Sequence, residues 1–208
     1  MKKIAILALA VVATTATYAQ LTTTFGIKAG VQNNLLVLRE TSGGDDARVA
    51  YTGFGFHVGG IADLKFSEHF SVQPQLLLTS KGIKASDEMS ISMLNIDIPI
   101  NLLYRHNGFF IGAGPNLSYG LSAKQKSDGS PDVDLYEDNG GDAPLKRFDF
   151  GANFTLGYEC PGGLLLAANY TPGLVDLAND GGGTEYNQRY FGFTIGYLFN
   201  KGAAAKKK

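Results

Sequence analysis

Six ionisable side chains, Lys28, Asp63, Asp97, Arg147, Asp149 and Glu159, stand at the polar phase of stretches in which apolar residues recur at every second position. If those stretches enclose a narrow interior, the six must pair or reach water, because an isolated buried charge is costly. The chemistry open to them is a network of salt bridges holding neighbouring strands together, or a path for protons or small solutes; the network is the expectation. His57, His69 and His106 fall on separate stretches and only His57 has the polar phase. With no His-x-x-x-His and one cysteine, the spacing of a transition-metal site is missing and no metal is expected. Cys160, next to Pro161, reads as a free and inert thiol, and no internal disulfide is possible. Asp128, Ser130, Asp132 and Asp134 are evenly spaced oxygens, but the glycine and the twelfth-position Glu of a calcium loop are not where that motif needs them, so a solvated loop is expected. No Gly-x-Ser-x-Gly frame surrounds any serine. The runs at 51–56 and 108–114 lack the strand-to-helix context that makes glycines a phosphate cradle. No catalytic residue and no cofactor follow from these patterns.

The elements that carry these groups all have a period of two. Leu94, Ile96, Ile98, Ile100, Leu102 and Tyr104 share one face against Asn95, Asp97, Pro99 and Asn101. Phe148, Phe150, Ala152, Phe154, Leu156 and Tyr158 oppose Arg147, Asp149, Gly151, Asn153, Thr155, Gly157 and Glu159. Comparable stretches begin near Phe25, Phe54, Phe70, Phe109 and Phe191, and a weaker one runs from Gly163 to Thr171, where Leu165 and Ala167 make the second face apolar too. That makes eight predicted strands and no predicted helix beyond the N-terminal segment.

Alternation also marks soluble sandwiches, so the composition of the second face decides. It is built from Gly, Ser, Asn and Gln with an occasional charge, the content of a crowded polar interior, and 27 glycines in 208 residues serve the same end. The expected fold is all-β, a closed antiparallel eight-stranded transmembrane β-barrel whose Phe and Ile rows face lipid. Tyr51, Phe66, Phe70, Tyr104, Phe109, Phe148, Tyr158, Tyr170, Tyr190 and Phe199 sit at stretch ends, as two aromatic girdles would require. Connections alternate short (65–69, 105–108, 160–163) with long (33–50, 80–89, 123–146, 172–188). Short periplasmic turns and long outer loops are the pattern of outer-membrane barrels, which places both termini in the periplasm.

Met1-Lys2-Lys3, the apolar run 4–13 and the small residues up to Ala19 read as a secretory signal cleaved after Ala19. Expected domains are therefore a signal peptide (1–19), a barrel (20–200) and a flexible basic tail (201–208). Eighteen basic against 19 acidic residues offer no polybasic surface, which argues against nucleic acid as a partner. Expected partners are outer-membrane lipid and other envelope proteins, with the chain itself a monomer.

The ordered set Phe25-Gly26-Ile27-Lys28-Ala29-Gly30-Val31-Gln32-Asn33, Gly55-Phe56-His57-Val58-Gly59-Gly60, residues 70–82, Leu94-Asn95-Ile96-Asp97-Ile98-Pro99-Ile100 and Gly112-Ala113-Gly114-Pro115 resembles the small PorT-like outer-membrane β-barrel proteins of Bacteroidetes. The resemblance spans Phe25 to Phe199 and implies an eight-stranded barrel, with no activity assigned to most members and no functional motif to carry over. The function expected is that of an outer-membrane barrel of structural or interaction type without enzymatic activity. A narrow small-solute channel, a secreted soluble β-barrel or sandwich that binds a ligand, and a membrane hydrolase are the other readings.

Overall fold

The computed structural model describes residues 21–42, 45–84, 89–127, 132–137, 145–177 and 184–199. The expected signal peptide (1–19) and the expected basic tail (201–208) lie outside the described residues, as do Asp128 and Ser130. The strands are β1 (Thr22–Ser42), β2 (Asp45–Lys65), β3 (Phe70–Lys84), β4 (Met89–His106), β5 (Phe109–Ser127), β6 (Val133–Asp134), β7 (Phe148–Glu159), β8 (Leu164–Pro172) and β9 (Thr184–Leu198). Each long strand pairs antiparallel with its neighbours, β1 closes onto β9, and β4 pairs β5, so eight strands form a complete ring. The two-residue β6 is an appendage on β5 at Gln125↔Val133. Closure is what permits the fold in lipid, because an open edge would leave backbone groups unsatisfied there.

The alternation read from the sequence maps onto this ring. Phe25, Ile27, Phe54, Phe56, Leu76, Leu102, Phe109, Ile111, Leu156, Phe193 and Ile195 are exposed on its outside, while Gln32, Asn34, His57, Gln73, Asn101, Asn116, Asn153 and Thr194 are buried inside. One irregularity interrupts the phase. Leu94 faces Ser122 but Asn95 faces Gly120, so Leu121 is an extra residue on β5, and beyond it the odd positions turn inward, beginning with the fully buried Ala123.

At one end of the ring the connections are tight. Asn107 and Gly108 (φ 51° and 83°) make the two-residue Asn-Gly hairpin between β4 and β5, whose positive φ values suit these two residue types. Gly162 and Gly163 (φ 108° and 97°) turn β7 into β8, with Cys160 N donating to Leu164 O at 2.8 Å. The other end carries the long connections, but these are shorter than the sequence suggests. Pairing of β1 with β2 continues to Ser42↔Asp45, and β3 with β4 to Lys84↔Ser90, so most of 33–50 and part of 80–89 are strand. The polar composition there reflects strands that continue past the lipid into water, where both faces tolerate polar residues.

Aromatic side chains ring the turn end: Phe70 packs on Tyr104 at 5.3 Å, Phe109 on Tyr158 at 4.9 Å and Tyr197 on Phe199 at 5.9 Å between ring centroids. Tyr51 and Tyr190 do not join a girdle. Both point inward, Tyr190 buried and Tyr51 packed against an interior cluster, because each holds the lumen phase of its strand.

Inside, apolar side chains form two layers. Ile61, Leu103, Phe110, Leu165 and Leu198, with Ala167 beside them, cross the lumen near the turn end. This accounts for the double apolar character of β8. Leu36, Ile83, Met93 and Ala123 form the other layer near the loop end, completed by Leu135 and Tyr136 from the segment after β6. Between the two layers the inward residues are mostly polar or glycine, with Leu77 and Pro99 among them.

Candidate functional site

The polar lumen is held by residues from every long strand. Gly30 on β1 has no side chain because the ring of His57 fills its place: a Cβ there would lie 2.6 Å from the ring atoms. His57 Nδ1 meets Gln32 Oε1 at 3.1 Å and Nε2 meets Thr194 Oγ1 at 2.9 Å, and Thr194 also accepts from Asn169 Nδ2 at 2.6 Å. Asn101 donates to Asn153 Oδ1 at 2.7 Å, and Asn153 to Thr171 Oγ1 at 2.6 Å. These bonds join side chains on different strands and involve no charged group.

The six ionisable residues singled out above separate into three places. At the turn end, Arg105 reaches Asp63 at 2.9 Å and Glu159 at 3.4 Å and donates to Ser71 Oγ, with Asp63 fully buried. Near the loop end, Asp97 lies 3.7 Å from Lys81 Nζ and accepts from the Tyr190 hydroxyl at 3.3 Å. Lys81 also donates to Gln188 Oε1 at 3.3 Å. Asp149 is buried on the same interior face, beside Ser118 in the register. Lys28 donates to Gln75 Oε1 at 2.6 Å, nearer the turn end.

Arg147 stands apart from the lumen. It precedes β7 in a bend, where the alternation no longer fixes direction, and its guanidinium lies 4.8 Å over the Tyr136 ring. Its NH groups donate to the carbonyls of Gly120 (3.4 Å), Leu121 (3.5 Å) and Tyr136 (3.4 Å). Gly120 is the pit that receives Tyr136, and Asp134 Oδ1 accepts from Tyr136 N at 2.8 Å. Arg147 therefore latches the segment that caps the loop end. Burial pushes the Tyr136 hydroxyl up to about 12, against the opposing pull of Arg147.

Two buried cations escaped the sequence reading, Lys81 and Arg105. Both fall in expected connections, yet both continue an inward series: Ser71, Gln73, Gln75, Leu77, Thr79, Lys81 on β3 and Asn95, Asp97, Pro99, Asn101, Leu103, Arg105 on β4. Extending the parity by one step would have found each.

The space left inside is small. A void of about 10 Å³ lies among Lys28, Gln32, His57 and Tyr190, room for about one water molecule. A cup of about 820 Å³ opens at the turn end, where Lys65, Glu68, His69, Arg105, His106 and Glu159 line it. The apolar layer of Leu103, Phe110 and Leu198 lies beyond Arg105, so the cup is closed at its floor. Among the described residues no three His, Cys, Asp or Glu side chains gather as ligands for a metal ion.

Residues 17–179 match the family model described as outer membrane protein beta-barrel domain. Among solved structures, Neisserial surface protein A is similar at 13% identity, over 82% of this chain and 97% of that one, with a TM-score of 0.48. The attachment invasion locus protein Ail of Yersinia pestis is similar at 14% identity, over 83% of this chain and 98% of that one, with a TM-score of 0.42. The outer membrane protein OprG of Pseudomonas aeruginosa is similar at 12% identity over 87% and 98%, also with a TM-score of 0.42. No curated protein matches the sequence.

Proposed function

Since this chain belongs to the outer membrane protein β-barrel domain family, we propose that it is a non-conducting, non-enzymatic barrel of structural or interaction type, seated with its tight turns and both termini in the periplasm. The observation that carries this is the filled lumen. Among the described residues, a central void of about 10 Å³ and two apolar layers leave no continuous wet path from end to end, which a channel needs. Short turns at one end and long connections at the other favour the orientation. In this reading residues 1–19 are a cleaved signal, the barrel acts as a monomer among outer-membrane lipids, and envelope proteins meet it through the loop end. Its PorT-like ancestry in Bacteroidetes rests on the sequence segments quoted above.

Planar-bilayer recording on the purified full barrel tests the proposal. Patches containing inserted protein are expected to show no unitary conductance above that of protein-free lipid. Stable openings that scale with salt concentration would replace it with the channel reading. Orientation is read separately, in a Cys160→Ser background, by labelling single cysteines placed in the Asn107 turn and in the 128–131 connection on intact cells.

A further inference from the structure

On its lipid-facing side the barrel wall is dented across β1, β2 and β3. The pairs Phe25↔Ala62, Ile27↔Gly60 and Gly60↔Leu76 set the outward residues of these strands side by side. Phe25 and Leu76 stand out from the wall at 64% and 60% exposure, whereas between them Gly60 has no side chain and Ala62 only a methyl group. The result is a groove of about 330 Å³ with β2 as its floor and Phe25, Pro74 and Leu76 along its sides. Its one polar side chain, Gln75, is turned into the lumen, where it accepts from Lys28 at 2.6 Å and donates to Gln73 at 3.3 Å. The groove itself is apolar throughout.

The chain's own packing does not require the glycine in this floor. Gly30, Gly112, Gly120 and Gly157 are pits that His57, Leu103, Tyr136 and Phe110 fill, but a Cβ on Gly60 would meet no atom nearer than Gly26 O at 3.9 Å. Glycine weakens a strand interior, so the open place at Gly60 has its use in something outside the chain. Polarity along the wall says what that is. Gly60 and Ala62 lie five and three residues from Lys65, the turn-end limit of β2, about 10–17 Å along the strand, in the half of the hydrocarbon nearest the turns. Towards the rim, Phe25 also borders a second recess of about 370 Å³, lined by Thr22, Thr23, Thr24 and Phe199. Apolar in its depth and hydroxyl-lined at its rim, the site follows the polarity of a membrane lipid, whose acyl chain leads to ester oxygens that accept from hydroxyl donors. Among the described residues neither lining carries a charged side chain, so headgroup charge is not what is recognised.

We propose that the Gly60–Ala62 groove and the threonine recess together bind one phospholipid, an acyl chain lying in the groove and its ester oxygens meeting Thr22 to Thr24. The site is formed by the outer wall alone, so it depends neither on the closed lumen nor on which way the turn end faces. With the turns in the periplasm, the lipid it takes is one of the periplasmic leaflet.

The test is native mass spectrometry of the refolded barrel, released from detergent after equilibration with phosphatidylethanolamine or phosphatidylglycerol of equal chain length. The wild type is expected to retain one lipid per barrel, to the same extent with either headgroup. Gly60→Leu fills the groove without meeting the chain, and is expected to weaken retention about tenfold. Ala113→Leu makes the same kind of change at another exposed position of the wall, on β5, and should leave retention unchanged. Should Gly60→Leu fail to fold, Ala62→Leu takes its place with the same expectation. Retention equal to wild type in the groove variant would overturn the proposal, as would an equal loss in Ala113→Leu or the absence of any lipid adduct. Retention confined to phosphatidylglycerol would overturn recognition through the chain and its ester, and a lipid-free dimer abolished by Gly60→Leu would give the groove to a second copy instead.

Discussion

Replacing Arg105 by alanine tests whether the turn-end charges hold the barrel together. Its guanidinium lies 2.9 Å from Asp63 and 3.4 Å from Glu159, with side-chain exposures of 8%, 0% and 14%. At an effective dielectric constant of about 20, each contact is worth roughly 5–6 kcal/mol of Coulomb attraction. Desolvation offsets most of that gain in the intact cluster, so the cluster as a whole adds little net stability. Removing the cation alone is different, because the cost of burying two carboxylates remains while the ion pairs that Arg105 makes with both are lost. A loss of about 3–5 kcal/mol is the usual result. With a urea slope of about 1–3 kcal/mol per M, the midpoint falls by roughly 1–5 M. The chain has no tryptophan, so the assay is far-UV circular dichroism or the gel shift between folded and unfolded barrel. A triple variant, Arg105→Ala with Asp63→Asn and Glu159→Gln, removes the two buried negative charges as well and is expected to recover most of the loss. A midpoint shift in the single variant below about 0.3 M, which the same slope equates to under about 1 kcal/mol, would refute the reasoning, as would a triple variant less stable than the single one.

Gly120→Val sets a branched side chain against the Tyr136 ring and hydroxyl, so the cap is expected to be displaced and the segment between β5 and β7 to be cut faster in limited proteolysis. The raised Tyr136 hydroxyl has a sign: from about pH 10 upward the released segment ionises while the seated one does not, so seating weakens as pH rises towards about 12. Proteolytic protection should fall across that window in the wild type and not in Tyr136→Phe. Gly108→Ala forces a side chain into a φ of 83° beside the Tyr158 ring and is expected to cost about 1–3 kcal/mol by urea unfolding, whereas Asn107→Gly should be nearly neutral. Leu103→Ala, at a fully buried position of the turn-end apolar layer, should lose about 2–5 kcal/mol.

The ring was legible in the sequence because membrane strands obey two constraints at once, an apolar outside and a small polar inside, and period two records both. Asp63, Asp97, Asp149, Glu159 and Lys28 were placed in the lumen by parity alone, and the structure has each of them inside. What parity could not give was the partner. Arg105 joins Asp63 on β2 to Glu159 on β7 across the lumen, a contact set by barrel closure and not by local pattern. Arg147 shows the limit from the other side, because a residue one position before a strand has no fixed face. Strand ends were the least readable feature. Past the lipid boundary the apolar face is no longer required, so Leu38 to Ser42 and Asp45 to Val49 look like a loop while they pair as strand.

Closing eight strands leaves an interior too narrow for two full side chains to meet at every level, and the sequence answers by pairing absence with size. Gly30 faces His57, Gly112 faces Leu103, Gly157 faces Phe110 and Gly120 faces Tyr136, so each large side chain lies where another strand has none. Such complementarity ties glycine content to sealing: the more pits the wall has, the more completely its longer residues fill the axis. The apolar layers end up at the two mouths, where Leu103 and Phe110 or Leu135 and Tyr136 exclude water. The charges are thereby left in places where pairing matters most, since a carboxylate shielded from water must find its counter-ion within the barrel. Arg105 meets that demand at the turn end with two close contacts. Lys81 meets it at the other level through a looser contact, 3.7 Å from Asp97, which also accepts from the Tyr190 hydroxyl, so the two charged levels solve the same problem with different geometry: a close guanidinium at one, an ammonium helped by a hydroxyl at the other.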